Sequence, residues 1–238
     1  MPRFFCPAPL QLGLSLDLPS ETTRHIQVLR LQPGSSVTLF DGLGGEYGAF
    51  ILEMTRNSVQ VRIDTHEAME RESPVVSQLV IGMPANERMD WLVEKATELG
   101  VSRITPLMTA HGVLRLNPER AHKRQLHWAG IAQSACAQSG RNTVPHIDTP
   151  QSWNEWVSGF PATKPQHQWV LSLGAQAVAL PRLNLFEKPN VVLLSGPEGG
   201  LSREEESQSI ELGFMPVSLG ARVLRAETAP LAVLAGWL

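Results

Sequence analysis

Near the C-terminal end of this 238-residue sequence, two glycine-bearing loops each follow a short apolar strand. The first reads Val191-Val192-Leu193-Leu194-Ser195-Gly196-Pro197-Glu198-Gly199-Gly200-Leu201-Ser202 and the second Val217-Ser218-Leu219-Gly220-Ala221-Arg222-Val223-Leu224-Arg225-Ala226-Glu227-Thr228-Ala229. In both, glycines stand where a strand hands over to a helix, the place at which backbone approaches a ligand in a parallel α/β sheet. Neither loop carries a common nucleotide fingerprint. A P-loop requires Lys-Ser or Lys-Thr after its last glycine, whereas Gly200 is followed by Leu201-Ser202. A nucleophile elbow requires glycine two residues before its serine, whereas Ser195 follows Leu193-Leu194. Gly42-Leu43-Gly44-Gly45 weakly matches a dinucleotide-binding loop, but it lies between predicted strands with no helix after it and reads as a hairpin.

The patterning divides the chain. Ser36–Phe40, Tyr47–Met54 and Ser58–Ile63 read as strands separated by glycine and Asn-Ser turns, which suggests a small β-barrel. Ser20–Leu31 reads as a helix capped by Ser20, with Ile26, Leu29 and Arg30 on neighbouring positions. Glu70-Arg71-Glu72-Ser73-Pro74 is charged and ends in proline, placing a boundary between residues 1–72 and 73–238. Beyond it strands and helices alternate, the mark of a parallel α/β domain. Gln78–Met83, Ser102–Met108, Gln168–Leu173, Val191–Leu194 and Phe214–Leu219 read as strands. The predicted helices are Asn86–Leu99 stopped by Gly100, Asn117-Pro118 to about Ser139, a Ser202–Glu205 capping box leading to Gly213, and a closing helix from about Glu227.

A hydrophobic content of 42% with no apolar run of roughly 18 residues excludes a membrane span, and no signal peptide precedes the first strand. Cys6 and Cys136, far apart and without a pairing pattern, read as reduced thiols in a cytoplasmic protein. His122 and His127 stand five apart, the wrong spacing for one helix face, so no metal site is expected. The net charge of −3 does not suggest a nucleic-acid binder, but its distribution leaves room for one. Residues 73–145 hold eight basic and five acidic side chains, and there Arg115, Arg120, Lys123, Arg124 and Arg141 are offset only by Glu119. A local positive surface is what phosphate binding needs, and a solvated helix face has the same pattern. Arg3, Arg24 and Arg30 are the corresponding phosphate-contact candidates in the barrel.

Six segments, taken in order, resemble the RsmE family of the SPOUT class of RNA methyltransferases. They are Met1–Phe5, His25–Leu31, Phe40-Asp41-Gly42, Lys95–Val101, Gln138–Pro145, and the final pair, Gly196–Gly200 with Leu219–Ala229. The resemblance covers nearly the whole chain. It implies a C-terminal α/β domain with a trefoil knot that holds S-adenosylmethionine, preceded by a PUA-like RNA-binding β-barrel. The implied reaction is methyl transfer to N3 of a uridine in 16S rRNA of the small ribosomal subunit, by a homodimer. It also places Arg141 and Asn142 at the dimer interface and its composite RNA site; a polar helix terminus is the other reading of that pair. Departures are Ala221 and Ala226, where the family usually has Pro and Thr, and Ser195, where an aliphatic residue is usual. Leu171–Ala175 occupies the first knot loop without a sharp motif.

The chemistry of such a donor assigns the remaining candidates. Gly196, Gly199, Gly200 and Gly220, with Pro197, would let an adenine edge meet backbone, while Leu173, Leu194, Leu219 and Leu224 supply apolar walls. Glu198 is the candidate carboxylate for the sulfonium or the amino group. Uridine N3 carries a proton, so the reaction needs a proton acceptor or cations that stabilise the anion. Arg222 and Arg225 are the candidates for the cationic role, and an ion pair with Glu227 or Glu198 is the alternative for both. Glu227 is the third candidate catalytic residue and reads equally as a favourable charge at a helix start, and no general base is assigned. The apolar last helix, with Leu231, Val233, Leu234 and Trp237, suits either a dimer interface or core packing. Two further functions stay open: the same fold acting on a ribose 2′-hydroxyl or a tRNA base, and a non-catalytic RNA-binding assembly factor.

Overall fold

The computed structural model describes residues 1–7, 9–85, 87–161 and 165–238. The chain forms two compact units, one of residues 1–72 with 133–144 and one of residues 73–132 with 145–238. Residues 133–144, grouped by sequence with the second segment, thus cluster with the first.

The first unit holds a five-stranded sheet, one complete helix and residues 133–144. Its strands are β1 (Arg3–Phe5), β2 (Ser15–Asp17), β3 (Ser36–Phe40), β4 (Glu46–Met54) and β5 (Val59–Glu67), in the order β1-β3-β4-β5-β2. Only the β1–β3 pair is parallel. Alternation builds the core: Val59, Val61 and Ile63 of β5 point inward with Val37, Leu39, Ala49 and Ile51, while Gln60 and Arg62 do not. Each such buried aliphatic side chain contributes about 1.5–3 kcal/mol over an exposed one. Helix α1 (Ser20–Val28) closes this core with Thr22, Thr23 and Ile26. Its N-cap is Pro19, not Ser20, because the extended chain enters through proline and Ser20 is already helical. The helix also stops short of Leu31, since Arg30 adopts a left-handed φ of 55°.

The second unit is a parallel sheet of β6 (Val76–Gly82), β7 (Arg103–Met108), β8 (His146–Ile147), β9 (Gln151–Ser152), β10 (His167–Leu171), β11 (Val178–Ala179), β12 (Asn190–Ser195) and β13 (Met215–Ser218). The order is β11-β13-β10-β12-β6-β7-β8, with β9 also on β7. Every strand pairing of this sheet among the described residues is parallel. Helices cover both faces, so β12 is buried continuously from Val191 to Ser195 and shows no alternation.

Helix α2 (Glu87–Glu98) buries Met89, Leu92, Val93 and Ala96 and ends before Gly100, whose φ is +88°. Asn86, where this helix was expected to begin, lies outside the described residues. Helix α3 (Pro118–Ser139) starts as expected, with Asn117 Oδ1 accepting the Arg120 N–H at 2.9 Å. A short helix α4 (Trp153–Ser158) escaped the sequence reading although Ser152 and Glu155 form a full capping box. Trp153 and Trp156 pack with Phe214, Val170 and Leu194 on one face of the sheet. Helix α5 (Arg203–Glu211) carries the expected Ser202–Glu205 box. Helix α6 (Thr228–Ala235) packs on α2 and β12, and Leu231, Val233, Leu234 and Trp237 are all buried within the chain. Core packing therefore accounts for those four side chains.

Candidate functional site

Strand order decides where a site can form. β10 lies between β12 and β13, so the connection from β12 through α5 to β13 steps over a strand. Because all three strands are parallel, the loops after Leu171, Ser195 and Ser218 emerge at one sheet edge, side by side. They enclose a cavity of about 280 Å³. Its apolar lining includes Leu171, Leu173, Val217, Leu219, Val223 and Leu224, and its charged lining is Glu198, Glu206 and Arg222.

The loop after β12 is folded tightly upon itself. The Gly200 N–H donates to Pro197 O at 2.8 Å, and a Cβ on Gly196 would stand 2.6 Å from Leu201 N and 2.7 Å from Gly200 C. Only glycine fits there, because backbone rather than a flexible side chain occupies the space. Glu198 fixes the outer side: its Oε1 accepts the Ala85 N–H and an Arg88 Nη1 donor, each at 3.0 Å. Partial burial pushes this carboxyl up, but the Ala85 N–H, its own N–H and Arg88 outweigh burial and hold it below the usual range. His111 Nδ1 lies 3.0 Å from Gly199 O, and Glu205 accepts the Ala110 N–H at 2.7 Å, tying the loop after β7 to the same edge. In the loop after β10, Ser172 Oγ accepts the Gly174 N–H at 2.9 Å and donates to Glu206.

Of the expected cofactor residues, Leu173, Gly196, Pro197, Glu198, Gly200, Leu219, Gly220 and Leu224 line the cavity. Leu194 does not; it belongs to the core between sheet and helices. Gly199 turns away toward His111, whose Cβ lies 2.9 Å from where a Gly199 Cβ would be. Arg222 lines the cavity and Arg225 does not. Both are exposed, and neither pairs with Glu198 or Glu227. Glu227 is buried at the start of α6, makes no capping bond, and keeps Oε2 without a hydrogen-bond partner. The sequence reading missed Ser172, Gly174 and Glu206; a serine and a glycine directly after a strand were the available signal.

Three of the expected RNA contacts are consumed inside the first unit. Arg141 is 3% exposed and paired with Glu72; its Nε lies 3.1 Å from that carboxylate. Asn142 is fully buried, accepting from Arg3 Nη2 at 2.6 Å and donating to Met69 O. Arg3 also pairs with Glu46 and stacks on Phe40. These groups are a structural network, because phosphate contact would require uncovering them. Arg115 donates to the carbonyls of Ala110, Gly112 and Leu114 and so organises its own loop. Arg24 and Arg30 remain exposed on the first unit and Arg124 is half-buried on the second. No helix among the described residues is long and apolar enough to cross a membrane.

Comparison with known proteins agrees with this geometry. Residues 71–238 match an RNA methyltransferase domain and residues 18–64 an RNA methyltransferase PUA domain. A ribosomal RNA small subunit methyltransferase E from Buchnera aphidicola is 30% identical over 98% of this chain and 94% of its own. The enzyme of that name from Neisseria gonorrhoeae, solved bound to S-adenosyl methionine, superposes with TM-score 0.89 at 36% identity, covering 99% of this chain and 95% of its own. A Legionella pneumophila protein solved with its bound cofactor SAM gives TM-score 0.89 at 35% identity over 98% and 96%. Matched along both units and nearly end to end, the chain belongs to the RsmE family of RNA methyltransferases.

Proposed function

We propose that the protein transfers a methyl group from S-adenosylmethionine to N3 of a uridine in 16S rRNA of the small ribosomal subunit, acting in the cytoplasm as a homodimer. The observation that carries this reading is the cavity at three adjacent strand ends in a chain of this family, whose relatives were solved with that cofactor. The lining suits the donor. Gly196, Gly200 and Gly220 expose backbone edges for an adenine, and Leu173, Leu219 and Leu224 form apolar walls. A trefoil knot through the loops after β12 and β13 is part of the proposal, supported by the step over β10.

When bound, S-adenosylmethionine supplies an electrophilic methyl on a sulfonium. The chain's contribution is to hold the acceptor and stabilise its charge. Uridine N3 becomes nucleophilic as its proton leaves, and the fixed positive charge of Arg222 at the cavity mouth stabilises the resulting anion. Arg225, outside the lining, serves to hold the substrate RNA. Arg24, Arg30 and Arg124 supply phosphate contacts.

The test is a labelled-methyl transfer assay on 30S subunits from cells lacking the activity, followed by nucleoside analysis. Label is expected as 3-methyluridine, reduced at least tenfold in kcat by Arg222→Gln with cofactor affinity nearly unchanged. Label on a ribose or another base would overturn the target. Cofactor binding without any transfer would favour a binding-only assembly role.

A further inference from the structure

The three charged side chains that line the cavity differ in how they are balanced. Glu198 is matched by Arg88 and the Ala85 N–H. Arg222 is exposed to solvent. Glu206, half-buried in the first turn of α5, is oriented by the Ser172 hydroxyl, which in turn is fixed by the Gly174 N–H. A hydroxyl is a neutral donor, so it sets the carboxylate's direction without cancelling its charge. No lysine, arginine or histidine pairs with Glu206 among the described residues. The adjacent Glu205 is engaged elsewhere, by the N–H groups of Ala110 and Ser202. Glu227 lies outside the lining.

We propose that Glu206 makes the cavity discriminate by charge, favouring the sulfonium methyl donor over its neutral thioether product; this rests on reading the cavity as the S-adenosylmethionine site. In the transfer, the S–CH3 bond breaks with its electron pair remaining on sulfur, an N–CH3 bond forms, and the N3 proton leaves to solvent. Donor and product therefore differ by one methyl and one unit of positive charge. A carboxylate in the wall with no cationic partner acts on that difference and strengthens donor binding relative to the product. Because Glu206 lines this cavity of about 280 Å³, a charge held in it stands on the order of 8 Å from the carboxylate. At an effective dielectric of about 20–40, one unit charge at that separation changes affinity roughly 5- to 30-fold.

The experiment is calorimetric titration of the full chain with S-adenosylmethionine and with S-adenosylhomocysteine. Wild type is compared with Glu206→Gln, which keeps the shape, and Ser172→Ala, which keeps the charge. The expected result is a donor-over-product affinity ratio at least fivefold smaller in E206Q, lost mainly through weaker donor binding. Ser172→Ala is expected to keep the wild-type ratio within twofold. An E206Q ratio within twofold of wild type, with both ligands bound, overturns the proposal. So does an equal weakening of both ligands, or a ratio that falls as far in S172A. Failure of wild type to bind either ligand instead removes the cofactor reading on which the proposal stands.

Discussion

Substituting Gly196 by alanine tests the close backbone approach that shapes the cavity. The added Cβ would stand 2.6 Å from Leu201 N, 2.7 Å from Gly200 C and 2.9 Å from Gly200 Cα. Ordinary contact begins near 3.4 Å, so the loop must open by about 0.8 Å against its own Pro197–Gly200 hydrogen bond. Forced movement of this size in a packed site costs about 1–3 kcal/mol. If the cost falls on the binding-competent loop, affinity for S-adenosylmethionine drops roughly 5- to 150-fold. Gly200→Ala is the internal comparison. Its Cβ would meet nothing within 4 Å, but its φ is +69°, a strain of about 1–2 kcal/mol with no clash. The assay is calorimetric titration of both variants, with thermal unfolding to separate local from global effects. Binding by G196A within twofold of wild type, at an unchanged Tm, would refute the reasoning that this loop has no room to give.

The network that binds residues 133–144 into the first unit makes three further predictions. Arg71 and Arg3 hold the Glu46 carboxyl at about 2, below its ordinary 4.5, with Arg71 the larger cause and burial opposing both. A depressed carboxyl stabilises the fold above its unfolded value and loses that contribution as pH falls toward the folded one. Wild type should therefore exceed Glu46→Gln by about 1–2 kcal/mol at pH 7, and the gap should narrow below pH 4.5 in denaturant titrations. A gap independent of pH would assign it to packing alone. Glu72→Gln removes the carboxylate paired with the buried Arg141 guanidinium and should cost about 3 kcal/mol, more than Arg141→Met, in urea unfolding of the full chain. The reverse order would show that Glu72 is screened by solvent. Burial pushes the Cys136 thiol up to about 11, so iodoacetamide at pH 8 should label it only on unfolding. Labelling at the rate of a free cysteine under native conditions would contradict its burial.

Features carried by adjacent residues were legible in the sequence. The strand–glycine–helix loops, the Asn117-Pro118 start and the Ser202–Glu205 box all depend on neighbours within about four positions. The capping box of α4 is equally local, but the helix it opens has only six residues, too short for a helical period to stand out. Charge was read less well than shape. Arg3, Arg141 and Asn142 have the composition of an RNA contact, but their partners Glu46, Glu72 and Met69 O lie 43 to 73 positions away in sequence. Nothing near a residue in sequence says whether a distant carboxylate has already claimed it.

The cavity illustrates the same limit at the level of topology. Two of its walls come from glycine loops whose sequences announce them, whereas the third comes from Leu171–Gly174, which has no motif. That segment becomes a wall because β10 pairs with β12 on one side and β13 on the other, through Val170–Leu194 and Leu171–Val217. In parallel strands, this register sets where each following loop begins. Ser172 therefore leaves the sheet beside the loop after β13 and within reach of Glu206 on α5. A shift of β10 by one residue would invert the faces of Val170 and Leu171 and turn Ser172 away from that carboxylate. The charge selectivity proposed for Glu206 thus rests on a strand order and register that no short sequence window contains, whereas the close backbone approach at Gly196 rests on a glycine that any reading of the chain would find.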